Sequence, residues 1–163
     1  MRELLRFYAI ALISLFITHI SAAQQKQMEY LNRGTIAVNQ GGGKVYVGWR
    51  MLGTDPDDVA FNLYRSTAGS KAVKLNATPI SNSTNFVDQG VDSTKSNSYF
   101  VKVLSNGKEK ETGETYILPA NAAVQQYLSI PLKTLPGYTP NDASVGDLDG
   151  DGQYDIILHQ TGR

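Results

Sequence analysis

The sequence contains no cysteine. That excludes a disulfide framework, a thiol nucleophile, a Cys-ligated zinc site and a lipid anchor on an N-terminal cysteine. It also lacks an excess of either charge, with 15 Lys+Arg against 15 Asp+Glu and a formal net charge of zero. No basic field and no dense Lys/Arg cluster is available to phosphate backbones, so nucleic acid is not an expected partner. Its most apolar run, Phe7 to Ile17, is about half of the roughly 20 residues that a bilayer-spanning helix needs. Nowhere do ten consecutive residues show helical periodicity. What is present, 41% hydrophobic residues and 15 glycines in 163, is ordinary globular material.

Arg2 and Arg6 precede that apolar run and Ser21-Ala22-Ala23 follows it. Basic start, short apolar core and small residues read as a secretory signal over residues 1–23, cleaved before Gln24. The mature chain is expected to be near-neutral, exported to the periplasm, cell surface or medium, free of membrane and monomeric.

From Met28 to Leu118 the pattern has period two. In Lys44-Val45-Tyr46-Val47-Gly48-Trp49-Arg50-Met51, the residues Val45, Val47, Trp49 and Met51 fall on one face. Residues 61–65 and 98–104 repeat the alternation, and residues 33–38 and 115–118 add shorter strand-prone pieces. Gly41-Gly42-Gly43, Asp55-Pro56-Asp57-Asp58 and Ser105-Asn106-Gly107 supply turns between them. Six or seven short strands in about 90 residues predict a fibronectin- or immunoglobulin-like β-sandwich over 24–118, with Trp49 and Tyr99 in its core.

After Pro119 the character changes. Residues 126–132 and 154–160 read as two strands separated by a Pro/Gly loop through Pro140. Two strands hold too little apolar surface for a core of their own. Residues 119–163 are therefore read as a linker and the start of a second domain that continues beyond the chain, and the tail is expected to be mobile.

The strongest local signal is Asp147-Leu148-Asp149-Gly150-Asp151-Gly152-Gln153-Tyr154-Asp155. Carboxylates at alternate positions followed by glycine point hard oxygen ligands inward, which suits calcium. The expected ligands are Asp147, Asp149, Asp151, the Gln153 carbonyl and Asp155. The twelfth loop position is Leu158 rather than the bidentate Glu of an EF-hand, and a β-branched run follows instead of a helix. Such a loop suits the entry to a strand of a β-propeller blade. The alternative is an Asp/Gly-rich surface turn without metal. His159, alone on its strand, is read first as a structural residue and second as a substrate contact.

Read in order, residues 28–34, 47–56, 61–65, 83–88 and 141–152 resemble the rhamnogalacturonan lyases of polysaccharide lyase family 11, exported bacterial enzymes that degrade pectin. The resemblance implies an all-β protein, a β-sheet domain followed by a propeller whose blade loops hold calcium. It further implies an endolyase that cleaves the rhamnogalacturonan I backbone by β-elimination. A base would remove the C5 proton of galacturonate, the O4-linked rhamnose would depart, and nearby positive charge would stabilise the enolate-like intermediate. No residue of this chain is assigned as the base, so the chain alone is expected to be inactive. Two readings from other classes stay open: a calcium-dependent carbohydrate-binding or adhesion protein, and a scaffold without a carbohydrate ligand.

Overall fold

The computed structural model describes residues 29–111 and 114–162, all strand, turn and loop. The expected signal sequence, residues 1–23, lies outside the described residues. Among the described residues, eight strands precede Pro119: β1 (Ile36–Gly41), β2 (Lys44–Gly48), β3 (Ala60–Thr67), β4 (Val73–Lys74), β5 (Asn85–Gln89), β6 (Asn97–Ser105), β7 (Lys108–Glu111) and β8 (Tyr116–Leu118). They form two antiparallel sheets. One has the order β1-β2-β5; in the other β4, β3, β6 and β7 follow one another, with β8 also paired to β6.

Local chemistry accounts for the hairpins. Asn106 and Gly107 have φ of 50° and 70°, the left-handed pair that a tight β6–β7 turn requires. The β1–β2 turn runs through Gly42 and Gly43 at φ 60° and 71°, which a side chain would strain.

The two sheets close on Ala37, Val45, Val47, Trp49, Phe61, Leu63, Tyr99, Val101, Val103 and Leu118. Trp49 meets Phe61 edge-on, centroids 5.5 Å apart, and Tyr99 is fully buried. Both aromatics are thus core residues, as expected. Met51 is not: β2 ends at Gly48, the alternation lapses, and Met51 is 57% exposed.

Two ion pairs stitch this core. Arg65 reaches Asp88, whose carboxylate also accepts the Tyr99 hydroxyl at 3.0 Å. Burial, reinforced by the Asp88 charge, pushes the Tyr99 phenol far above its ordinary value. Arg33 grips Asp55 with two parallel hydrogen bonds, 2.6 and 2.5 Å, at 6% side-chain exposure on both partners. The bond from Arg33 holds the Asp55 carboxyl below its ordinary value against the opposing effect of burial, and the Leu52 N–H assists.

A carboxyl depressed in the folded state stabilises fully above its unfolded pKa, about 4, and that stabilisation is lost as pH falls through the folded value. Denaturant titrations from neutral pH down to about pH 2 should therefore show a loss of stability at the acid end that is shallower in Asp55→Asn. Equal acid loss in both proteins would remove Asp55 as a contributor.

The segment after Pro119 departs from expectation in two ways. Residues 126–132 form no strand and join no sheet among the described residues. Instead β9 (Tyr138–Gly146) pairs with β10 (Asp155–Gly162), so the stretch read as loop through Pro140 is strand. The tail also packs on the sandwich rather than standing clear of it. Asn39 donates to Ala122 O at 2.7 Å, Gln125 N donates to Asn39 O at 3.0 Å, and Asn121 N donates to Ser93 O at 2.7 Å.

Candidate metal loop and its seat

β9 and β10 are joined by residues 147–154, so the antiparallel register brings Gly146 opposite Asp155 and forces the acidic segment into one tight loop. Gly150 and Gly152 turn it, with φ of 78° and 85°. Side-chain carboxylates organise the loop backbone. Asp147 accepts from the N–H of Gly150 at 2.9 Å and of Gly152 at 3.1 Å, Asp149 from Asp151 at 3.2 Å, and Asp151 from Gln153 at 2.7 Å. One oxygen from each of Asp147, Asp149 and Asp151 lies within 4.8 Å of the others.

Three like charges at that separation repel in the absence of a countercharge, and hard oxygens converging on one point are the donor set calcium takes. Asp155 stands apart from this trio and accepts the Leu148 N–H at 3.0 Å, closing the base of the loop. The Gln153 side chain turns away to Glu114, which leaves its carbonyl as the only group it could offer. His159 is exposed on β10 at a register shift between Leu158 and Gln160, outside the loop.

The loop is seated on the sandwich, a feature not anticipated from sequence. Asn32 N donates to Gly152 O at 2.7 Å, and Glu29 accepts the Asp147 N–H at 3.3 Å. Gly152 is buried although its neighbours are exposed, and a Cβ there would stand 3.1 Å from both Asn32 N and Tyr30 O. The one available signal was Gly152, the second glycine of the Asp-Gly-Asp-Gly run.

The segment that forms this seat and the sheets behind it carry a family signature. Residues 26–117 match the family model described as the rhamnogalacturonan I lyases beta-sheet domain, more than half of the chain. The chain belongs to the rhamnogalacturonan I lyase family. Rhamnogalacturonan endolyase YesW of Bacillus subtilis strain 168 is 39% identical over 168 residues, covering 93% of this chain and 25% of that protein. Rhamnogalacturonan exolyase YesX of the same strain is 39% identical over 145 residues, covering 83% and 22%. The crystal structure of the exotype lyase YesX superposes with a TM-score of 0.62 at 40% identity, over 82% of this chain and 22% of that one. The chain thus spans about a quarter of the length of these lyases, and the family's β-sheet domain spans β1 to β7 and reaches into β8.

Proposed function

We propose that this chain supplies the β-sandwich and the first calcium-loop hairpin of an exported rhamnogalacturonan lyase that cleaves the rhamnogalacturonan I backbone of pectin by β-elimination. The observation that carries this reading is the family match over residues 26–117, supported by relatives 39% identical that cover 93% and 83% of the chain. An endo-acting and an exo-acting lyase are each 39% identical, so the reading stops at lyase and does not choose between the two modes.

Calcium would be held by Asp147, Asp149, Asp151, the Gln153 carbonyl and Asp155. The 4.8 Å convergence of the first three supports the assignment. The ion would neutralise the loop's own charge and fix the β9–β10 turn. The hairpin exposes Val145, Ile156 and Ile157, each near or above half, which supports reading it as one element of a propeller whose neighbours cover such faces. In this reading His159 is a substrate contact, and the base that removes the uronate proton lies in other blades.

The test is ultraviolet absorbance of the unsaturated uronate released from pectic rhamnogalacturonan I, with calcium present. The chain alone should be silent, and protein extended through its downstream coding sequence should generate signal. Turnover by the chain alone that disappears in His159→Ala would place the chemistry here and defeat this division of labour. Silence from the extended protein would defeat the lyase reading.

A further inference from the structure

Arg50 follows the core residue Trp49 and is committed to no carboxylate among the described residues. Its guanidinium occupies a slot that two other residues create. On the sandwich side Gly34 has no side chain, and a Cβ there would fall 2.5 Å from the Arg50 Cζ. On the loop side the ring of Tyr154 lies under the guanidinium, 4.3 Å from centroid to Cζ. Nη1 points at the carbonyls of Asn32 and Gly152, both at 3.4 Å, the same two residues already joined by the 2.7 Å backbone hydrogen bond. The backbone of Arg50 is itself fixed to Arg33, by N–H to O at 2.8 Å and by Arg33 Nη1 to Arg50 O at 3.2 Å.

A planar cation wedged between Gly34 and Tyr154 therefore fastens residues 152–154 to the part of the sandwich held by the Arg33–Asp55 pair. We propose that Arg50 is the positioning residue of the carboxylate loop: it docks the loop on the sandwich and so sets the loop's cation affinity from outside the ligand set. The inference rests on the calcium reading given above. A loop that must be ordered before it binds has its apparent affinity reduced by the fraction of time it is disordered, so a residue that holds it ordered tightens binding without touching the ion. Linkage makes the effect reciprocal, and calcium should tighten docking by the same factor.

The opposite sign has a physical basis too. A cation beside a calcium site repels the ion, and in that case Arg50 would weaken binding. Lysine separates the two, since it keeps the charge and loses the planar stack and the fork. Tyr154→Leu removes the stack from the loop side and leaves every sandwich residue in place.

The experiment is calcium titration calorimetry on the full chain and its Arg50→Ala, Arg50→Lys and Tyr154→Leu variants, paired with tryptic cleavage after Lys133 in chelator. We expect about tenfold weaker calcium binding in all three, the loss of one partly desolvated cation–π contact, and faster cleavage in chelator. Tighter binding in Arg50→Ala with Arg50→Lys unchanged would overturn the proposal in favour of charge repulsion. Wild-type affinity and wild-type cleavage in all three would overturn it outright. If the parent chain takes up no calcium, the calcium reading fails by itself, and cleavage after Lys133 still decides whether Arg50 docks the loop: unchanged cleavage refutes it.

Discussion

Asp55→Ala should remove a large share of the sandwich's stability. The substitution removes the only carboxylate bound to the Arg33 guanidinium among the described residues and leaves that cation at 6% side-chain exposure above the Phe61 ring, 5.3 Å from its centroid. Truncating one partner of a buried ion pair costs about 3–5 kcal/mol, because the remaining charge is desolvated and uncompensated. Against a typical domain stability of about 5–15 kcal/mol, that is a large share of the whole. The double variant Arg33→Met/Asp55→Leu removes both charges and should recover most of the loss, since apolar replacements of a buried pair are often neutral or better. Chemical denaturation measures both. An Asp55→Ala midpoint within about 1 kcal/mol of the parent would show that the pair is solvated in solution and that Arg33 does not anchor the loop seat.

Phe61→Ala should be nearly as damaging. Phe61 is 1% exposed, sits edge-on to Trp49 and carries Arg33 on its face, so its removal opens a cavity at the centre of the intersheet core. Large-to-small substitutions of buried phenylalanine cost about 3–5 kcal/mol. Phe100, which stacks on Tyr64 with centroids 5.2 Å apart on the opposite face of the same sheet, is the matched control. A cross-strand aromatic pair on a partly exposed face contributes up to about 1 kcal/mol, and Phe100→Ala should lose no more. The single tryptophan reports both unfolding transitions from inside the core. Equal losses at the two positions would contradict the assignment of inner and outer faces in β3 and β6.

Most of the sandwich was legible because it obeys local rules. Alternation in 44–48 and 98–104, together with the glycines at 42, 43 and 107, marked β2, β6 and two hairpins directly. β5 was not legible as a strand, because only Phe86 of its two inward positions is apolar; the other is Asp88, a charge paired with Arg65 and Tyr99. Asp55 read as one acid in a turn, and its partner lies 22 residues away, a distance that no local pattern spans.

The errors after Pro119 share one cause. Residues 126–132 have strand composition and pair with no strand among the described residues, whereas Pro140, Asn141 and Asp142 have turn composition and are drawn into β9 by pairing with β10. Strand propensity reflects fit to a pleated, partnered surface, and partners are set by the tertiary structure. The carboxylate loop was legible as a cluster, because alternate spacing across a tight turn is a local property. Its seat on Asn32 and Arg50 was not, since that contact joins residues more than a hundred positions apart.

Calcium titration of the chain against its Asp149→Ala variant tests the account most directly, because the acidic loop is where sequence pattern, geometry and proposed function meet. Asp149 contributes one of the three converging carboxylates, yet it is exposed and bears on no core residue, so its loss leaves the sandwich intact. The parent chain should bind one ion saturably and melt at a higher temperature with calcium, and Asp149→Ala should lose both, since a ligand bound only to the folded state stabilises it by mass action. Equal calcium uptake by the two proteins, or none by the parent, would contradict it.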